Sequence, residues 1–146
     1  MITLFLIFLV GVCNATMDVL FTRYDKSIFK KFNPSWWNPQ ESWTWKWSMP
    51  LREPTKKWYY FGFYPKYEER FPYSSTIFVW LTDAWHLFKA FMILFVVLGI
   101  VCYTPLISPL IDWLIYYVTW TFTFTILYDY LFIIKENKWV LYIHQK

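Results

Sequence analysis

Glycine, cysteine and acidic residues are scarce in this chain of 146 residues, which holds three glycines, two cysteines and ten acids. It contains no phosphate-binding loop and no nucleophile elbow, since both need closely spaced glycines. The two cysteines, Cys13 and Cys102, form no metal-binding motif and lie at different depths of the helices predicted below, so we expect free thiols. These absences remove the common signatures of phosphate-loop enzymes, serine hydrolases and zinc-binding domains.

Apolar side chains dominate instead: 58% of the residues are hydrophobic and 26% are aromatic. Such a chain lacks the polar surface that covers a water-soluble core, which predicts an integral membrane protein. Three segments, 1–22, 75–103 and 106–134, have the roughly 20 apolar residues that a bilayer crossing needs. Pro105 and Pro109 separate the last two segments and predict an antiparallel helical hairpin.

The predicted fold class is therefore an all-α membrane protein with three transmembrane helices. An irregular, aromatic-rich interfacial loop region at 23–74 follows the first helix, and a short polar tail at 135–146 ends the chain. A cleaved signal peptide is the alternative for the first segment. No basic residue precedes its apolar core, which favours a retained helix.

The basic residues indicate an orientation. Residues 23–74 carry ten of the 14 lysines and arginines, the tail carries three more, and the hairpin connection carries none. The positive-inside rule then places residues 23–74 and the C-terminus on the inner face and the N-terminus outside. We expect a bacterial inner membrane, with an organellar inner membrane as the alternative.

The interfacial region is rich in tryptophan, tyrosine and proline. Tryptophan and tyrosine favour the headgroup level of a bilayer, and basic side chains attract anionic lipid. Asn33-Pro34 and Asn38-Pro39 predict turns. Interleaved basic and aromatic residues are also typical of proteins that bind single-stranded nucleic acid, but the acidic residues in the same stretch disfavour that partner. The predicted surface for membrane lipids or partner proteins comprises Trp36, Trp37, Trp43, Trp45, Trp47, Trp58, Lys56 and Lys57.

Four aspartates interrupt the apolar segments: Asp18, Asp83, Asp112 and Asp129. An ionisable group in hydrocarbon costs several kcal/mol unless it is paired or hydrated, so each is a candidate functional residue. Counting about 1.5 Å per residue from the basic end of each segment places three of them in the inner half of the membrane. Asp112 lies near the opposite end.

Helical spacing predicts that polar residues of all three helices meet in the inner half of the bundle. On the third helix, polar residues recur every four positions at Tyr117, Thr121, Thr125 and Asp129. The alternative is that polar residues only mediate helix packing, or that the second span begins near Leu87, which places Asp83, His86 and Lys89 at the inner interface. The predicted cluster comprises Asn14, Asp18, Asp83, His86 and Asp129.

Two main functions remain open from the sequence. The first is a structural or accessory subunit of a larger membrane assembly, bound to other subunits or to copies of itself. The alternative is a membrane-embedded enzyme or a metal- or proton-handling protein. Asp83 and His86 share a helical face and, with Asp18 and Asp129, offer ligands for a divalent metal. Di-metal bundles repeat such a pair on a second helix, which this chain does not. A phage lysis pore is a third class, which the elaborate interfacial region disfavours.

Several motifs resemble a known family. They are Asn-Ala-Thr-Met-Asp at 14–18, Ser-Ile-Phe at 27–29, Asn-Pro-Ser-Trp-Trp-Asn-Pro at 33–39, Phe-Pro-Tyr-Ser-Ser-Thr at 71–76 and Leu-Thr-Asp-Ala-Trp-His-Leu-Phe at 81–88. Together they are similar to a family of small uncharacterised integral membrane proteins of Bacteroidetes and their phages. The family has no assigned activity, so the resemblance implies a membrane protein and no particular chemistry.

Overall fold

The computed structural model describes residues 1–52 and 67–134, which form helices and turns without strands. Three of the helices are long and apolar enough to cross a membrane, which confirms the three predicted spans at that level. The predicted surface residues Trp58, Lys56 and Lys57 and the tail at 135–146 lie outside the described residues. The helices are α1 (Ile2–Thr22), α2 (Pro34–Trp37), α3 (Pro39–Ser42), α4 (Ala84–Val101) and α5 (Pro109–Ile126), and a π-helical turn at Leu127–Leu131 extends α5.

The second long helix begins at Ala84, later in the chain than the start at position 75 that the sequence predicts. Asp83 caps it, since its side chain accepts a hydrogen bond from the backbone N–H of His86 at 2.9 Å. The apolar residues before Asp83 form turns and a short 3₁₀ helix at Val79–Leu81. They look like helix in sequence because apolar composition alone does not separate a membrane helix from a packed turn.

Helix α1 lies at the centre of the bundle. Half of its apolar window is buried inside the protein, against 11% for each of the other two spans, because both α4 and α5 pack on it. The Thr3 hydroxyl donates to the Cys102 carbonyl at 3.2 Å, so α4 ends where α1 begins. At the opposite end, the Thr22 hydroxyl lies 3.2 Å from the Tyr128 hydroxyl. Helix α4 therefore runs antiparallel to α1, and α5 runs parallel to α1.

A glycine sets the distance between α1 and α5. A Cβ atom at Gly11 would lie 2.9 Å from Thr123 Cβ and 3.2 Å from the Trp120 carbonyl oxygen. Small residues at such crossings let membrane helices approach closely. The second glycine of the bundle, Gly99, has no such restriction, because its nearest neighbour would be Thr3 Cγ2 at 4.0 Å.

Asp112 holds the connection between α4 and α5. Its buried carboxylate accepts hydrogen bonds from the backbone N–H groups of Leu106 at 2.8 Å and Ile107 at 3.0 Å, and from the Tyr103 hydroxyl at 3.0 Å. Three donors satisfy this carboxylate without a cation. Desolvation and the hydrogen bond to Asp112 raise the pKa of the Tyr103 hydroxyl.

The chain after α1 folds over the end of the bundle. Val19, Leu20, Phe29 and Ala84 form its buried apolar cluster. Asn33 and Asn38, predicted as turn residues, each cap a short helix, with side chains that accept from the N–H two residues later. A proline follows each asparagine as the first helical residue, where it needs no hydrogen bond.

Two stretches of the interfacial region pair with each other. The Ser48 N–H donates to the Glu68 carbonyl at 2.8 Å, and the Arg70 N–H donates to the Lys46 carbonyl at 3.1 Å. The Ser74 hydroxyl also donates to the Lys46 carbonyl, at 2.5 Å. These bonds tie residues 67–74 to residues 46–48 and give the region a defined fold.

Candidate functional site

The structure brings two of the five predicted cluster residues together and distributes the rest. Asp83 and His86 form a pair at the first turn of α4. Asp129 pairs with Arg23 instead. Asn14 and Asp18 remain on α1, one helical turn apart and partly exposed.

Asp83 and His86 are joined by a short hydrogen bond. His86 Nδ1 lies 2.6 Å from Asp83 Oδ2, and the other Asp83 oxygen caps α4. The Thr82 hydroxyl lies 3.3 Å from Asp83 Oδ2. Because Asp83 holds Nδ1, the second imidazole nitrogen is the one left to take up a proton or to bind a ligand. Asp83 is 3% exposed and His86 27%, so the imidazole is the reachable member of the pair.

Substitution of Asp83 separates its two roles. Asp83→Ala is expected to lower the free energy of unfolding by about 1–2 kcal/mol, because it removes the helix cap and the imidazole partner. Asp83→Asn keeps the cap, since asparagine caps as well as aspartate, and is expected to cost less than about 1 kcal/mol. Denaturation of the detergent-solubilised protein measures both. Equal losses for the two variants would contradict the capping role.

Asp129 lies at the end of the bundle, outside any polar interior. Arg23 Nη1 donates to Asp129 Oδ1 at 3.1 Å, with side chains 40% and 45% exposed. The Arg23 guanidinium also lies 4.2 Å from the centroid of the Tyr128 ring. This pair links the C-terminal ends of α1 and α5 and contributes little energy at such exposure.

Asn14 and Asp18 lie on the stripe of α1 that also carries Gly11 and Thr22, and both remain partly exposed beside α5. Gly11 and Thr22, which share their helical stripe, both contact α5, at Thr123 and Tyr128 respectively. Neither the Asn14 amide nor the Asp18 carboxylate has a hydrogen-bond partner within residues 1–52 and 67–134. The Asp18 backbone carbonyl, in contrast, accepts from the Thr22 hydroxyl at 2.6 Å.

The rotation of α5 differs from the one that the sequence suggests. Tyr117, Thr121 and Thr125 are exposed, whereas Asp112 and Thr123 are buried. A threonine face still packs on α1, but it is the face of Thr123. Gly11, which contacts Thr123, is the signal in the sequence that could have identified this face. A glycine in a membrane helix often marks a close crossing.

The described residues contain no group of three or more histidine, cysteine, aspartate or glutamate side chains placed to hold a metal ion. The Asp83–His86 pair supplies two potential ligands. A zinc site has three or four protein ligands, and the Asp83 oxygens already accept bonds from His86 and Thr82.

The predicted aromatic surface divides into two parts. Trp36 and Trp37 pack against the buried cluster at the end of the bundle, and Trp37 stacks on Phe29 with ring centroids 5.2 Å apart. Trp43 is 48% exposed. The remaining described members, Trp45 and Trp47, line an open groove.

Arg70 joins this groove, although the sequence did not single it out. Its guanidinium carbon lies 3.6 Å from the centroid of the Trp45 ring. Glu41 lies in the same groove. Burial, followed by the charges of Glu41 and Asp25, raises the pKa of the Tyr24 hydroxyl, so negative potential reaches that side chain.

Comparison with known proteins adds no assignment. The motifs at 14–18, 33–39 and 81–88 remain the basis for the expected resemblance to small membrane proteins of Bacteroidetes and their phages. No family model, curated protein or solved structure matches the chain.

Proposed function

We propose that this chain is a structural or accessory subunit of a larger membrane assembly, and that a partner helix docks beside Asn14 and Asp18 on α1. The observation that supports this role is the carboxylate of Asp18. It is partly exposed within a helix long and apolar enough to span a membrane, and no group among the described residues bonds to it.

Neighbouring donors are already engaged. The Thr22 hydroxyl donates to the Asp18 backbone carbonyl, and the Arg23 guanidinium binds Asp129. By helical rise, Asp18 lies about 7 Å inside the Arg23 end of α1. A carboxylate at that depth costs several kcal/mol unless it finds a donor or water, so a partner that supplies a donor gains what the isolated chain lacks.

The chemistry of the partner follows from this requirement. A helix that carries lysine, arginine, serine or asparagine at the depth of Asp18 donates to the carboxylate, and serine or asparagine also accepts from the Asn14 amide. The Asn14 amide of a second copy is also a donor, so self-association meets the same need. Hydrogen bonds of this kind between membrane helices contribute about 1 kcal/mol each, and close packing supplies the remaining stability.

An Asp18→Leu variant tests the proposal. After extraction in a mild detergent, the wild-type chain is expected to elute as a complex larger than its monomer. Asp18→Leu is expected to lower the association constant of the complex about fivefold, the factor that corresponds to one hydrogen bond of about 1 kcal/mol. The released monomer should be more thermally stable than the wild-type monomer, because an unpaired carboxylate has been removed from apolar surroundings.

Asp129→Asn is the matched control, because it alters an aspartate of a spanning helix that already has a partner, Arg23. It is expected to leave the complexed fraction unchanged. A wild-type chain that elutes as a monomer without a co-purifying protein overturns the proposal. An intact Asp18→Leu complex does the same.

The Asp83–His86 hydrogen bond favours a second candidate, a membrane-embedded enzyme or a metal- or proton-handling protein. A buried carboxylate that orients an imidazole is suited to proton transfer. The candidate has less support, because Asp18 and Asp129 are not joined with this pair in one ligand group of the described chain.

A further inference from the structure

The interfacial groove beside α3 has the size of a small-molecule site. Its volume is about 750 Å³, and its lining includes Trp45, Trp47, Glu41, Thr44 and Arg70. Sites for small ligands typically enclose about 300–1,000 Å³ and combine aromatic walls with a few polar groups. The groove shares no residue with the α1 face of Asn14 and Asp18.

Arg70 provides an uncommitted positive charge in the groove. Its guanidinium stacks on Trp45, and no carboxylate in the described part of the chain forms a salt bridge with it. The adjacent carboxylate of Glu69 is engaged elsewhere, because it accepts from the Tyr73 N–H at 3.0 Å and from the N–H and hydroxyl of Ser75. A stacked guanidinium keeps its N–H groups at the edge of the plane, where they match a phosphate.

Glu41 provides the opposite charge. One of its oxygens accepts from the Asn38 side-chain amide at 3.2 Å, and no lysine or arginine within the described ranges forms a salt bridge with it. Among the described residues, the groove therefore offers one cation and one anion, and neither has an ionic partner there. A ligand that carries a single negative charge would leave Glu41 without a counter-charge.

The groove also lies at the end of the bundle where lipid headgroups are expected. It follows α2, whose Trp37 lies against Phe88 in the first turns of α4, with ring centroids 6.2 Å apart. The tryptophans and basic residues of this end favour the headgroup level.

We propose that the groove binds the headgroup of a phosphatidylethanolamine-type lipid, with the phosphate on Arg70 and the ammonium on Glu41. Both charges of this headgroup are then neutralised. An ethanolamine ammonium donates N–H bonds to the Glu41 carboxylate, whereas a choline group has no N–H to donate. Cations already lie near both tryptophan rings, Arg70 over Trp45 and Lys46 Nζ 5.7 Å from the Trp47 centroid, which disfavours choline capture by aromatic faces.

Lipid retention by the full chain tests this assignment. The protein is reconstituted in equal parts of phosphatidylethanolamine, phosphatidylglycerol and phosphatidylcholine, re-extracted in mild detergent, and its retained phospholipids are quantified by mass spectrometry. About one phosphatidylethanolamine per chain is expected. Arg70→Gln is expected to lower its retention about tenfold, the factor for loss of one charge-assisted bond.

Glu41→Gln is expected to abolish the preference for phosphatidylethanolamine over phosphatidylglycerol while retaining phosphate binding. Lys31→Gln is the matched control, because it removes an exposed cation of the same region outside the groove and should change nothing. If the wild-type protein retains the three phospholipids in the equal proportions in which they were supplied, the assignment is overturned, whatever the variants do. Selective retention of phosphatidylglycerol, or equal retention by the wild type and a folded Arg70→Gln, also overturns it.

Discussion

Gly11→Ala is expected to destabilise the bundle by about 2 kcal/mol, because one added methyl group must displace α5 from α1. The new Cβ would lie 2.9 Å from Thr123 Cβ and 3.2 Å from the Trp120 carbonyl oxygen. A backbone atom cannot rotate away as a side chain can, so the two helices must separate. Overpacking of this kind typically costs about 1–3 kcal/mol. Denaturation in detergent, followed by loss of helical circular dichroism, measures the effect.

Gly99→Ala is the matched control for this prediction. It adds the same methyl group to another membrane-spanning helix, where the nearest atom is Thr3 Cγ2 at 4.0 Å. We expect no loss of stability, since alanine is also the better helix former. Equal destabilisation by the two variants would show that the α1–α5 crossing is not the site of the restriction.

Asp112→Asn is expected to loosen the α4–α5 connection and to lower the melting temperature by several degrees. The carboxylate accepts three hydrogen bonds, one at Oδ1 and two at Oδ2. Asparagine has a single acceptor oxygen, so in either orientation its amide nitrogen faces at least one N–H donor. A buried donor left without an acceptor is more costly than the hydrogen bond itself.

Asp129→Asn is again the comparison, because it makes the same chemical change in an exposed ion pair of the same helix. It is expected to shift the melting temperature very little. Tyr103→Phe removes only one of the three donors to Asp112 and should lie between the two aspartate variants. The predicted order of melting temperatures is therefore Asp129→Asn, Tyr103→Phe and Asp112→Asn, from highest to lowest. Any other order contradicts the role of Asp112 as the acceptor that holds the connection.

The spacing of Asp83 and His86 predicted that they lie close together, and they do, although as the N-cap of α4 and a residue of its first turn and not as two residues of one helical face. Composition likewise identified the three spans. The start of α4 was not predictable in this way, since the apolar residues before Asp83 suit both a membrane helix and a packed turn. The Asp83 carboxylate fixes the start of α4 by accepting a hydrogen bond from the His86 N–H. The sequence does not show which N–H group a carboxylate will bind.

Helix rotation was the main obstacle to predicting the cluster. In a soluble protein the apolar face indicates the core, but in a membrane both the lipid and the core accept apolar side chains. The stripe of Tyr117, Thr121 and Thr125 was therefore as plausible as the face of Thr123, which packs on α1. Asp129 lies outside the predicted cluster because it pairs with Arg23, which directly follows α1 at the end of the bundle.

The central position of α1 has a consequence for biosynthesis. Of the three long helices, α1 is translated first, and the two helices that bury it follow the interfacial region in the chain. Helix α5, the least apolar of the three, is made last. Because Thr123 of α5 packs on Gly11 of α1, the helix translated earlier offers the least apolar one a protein surface in place of lipid.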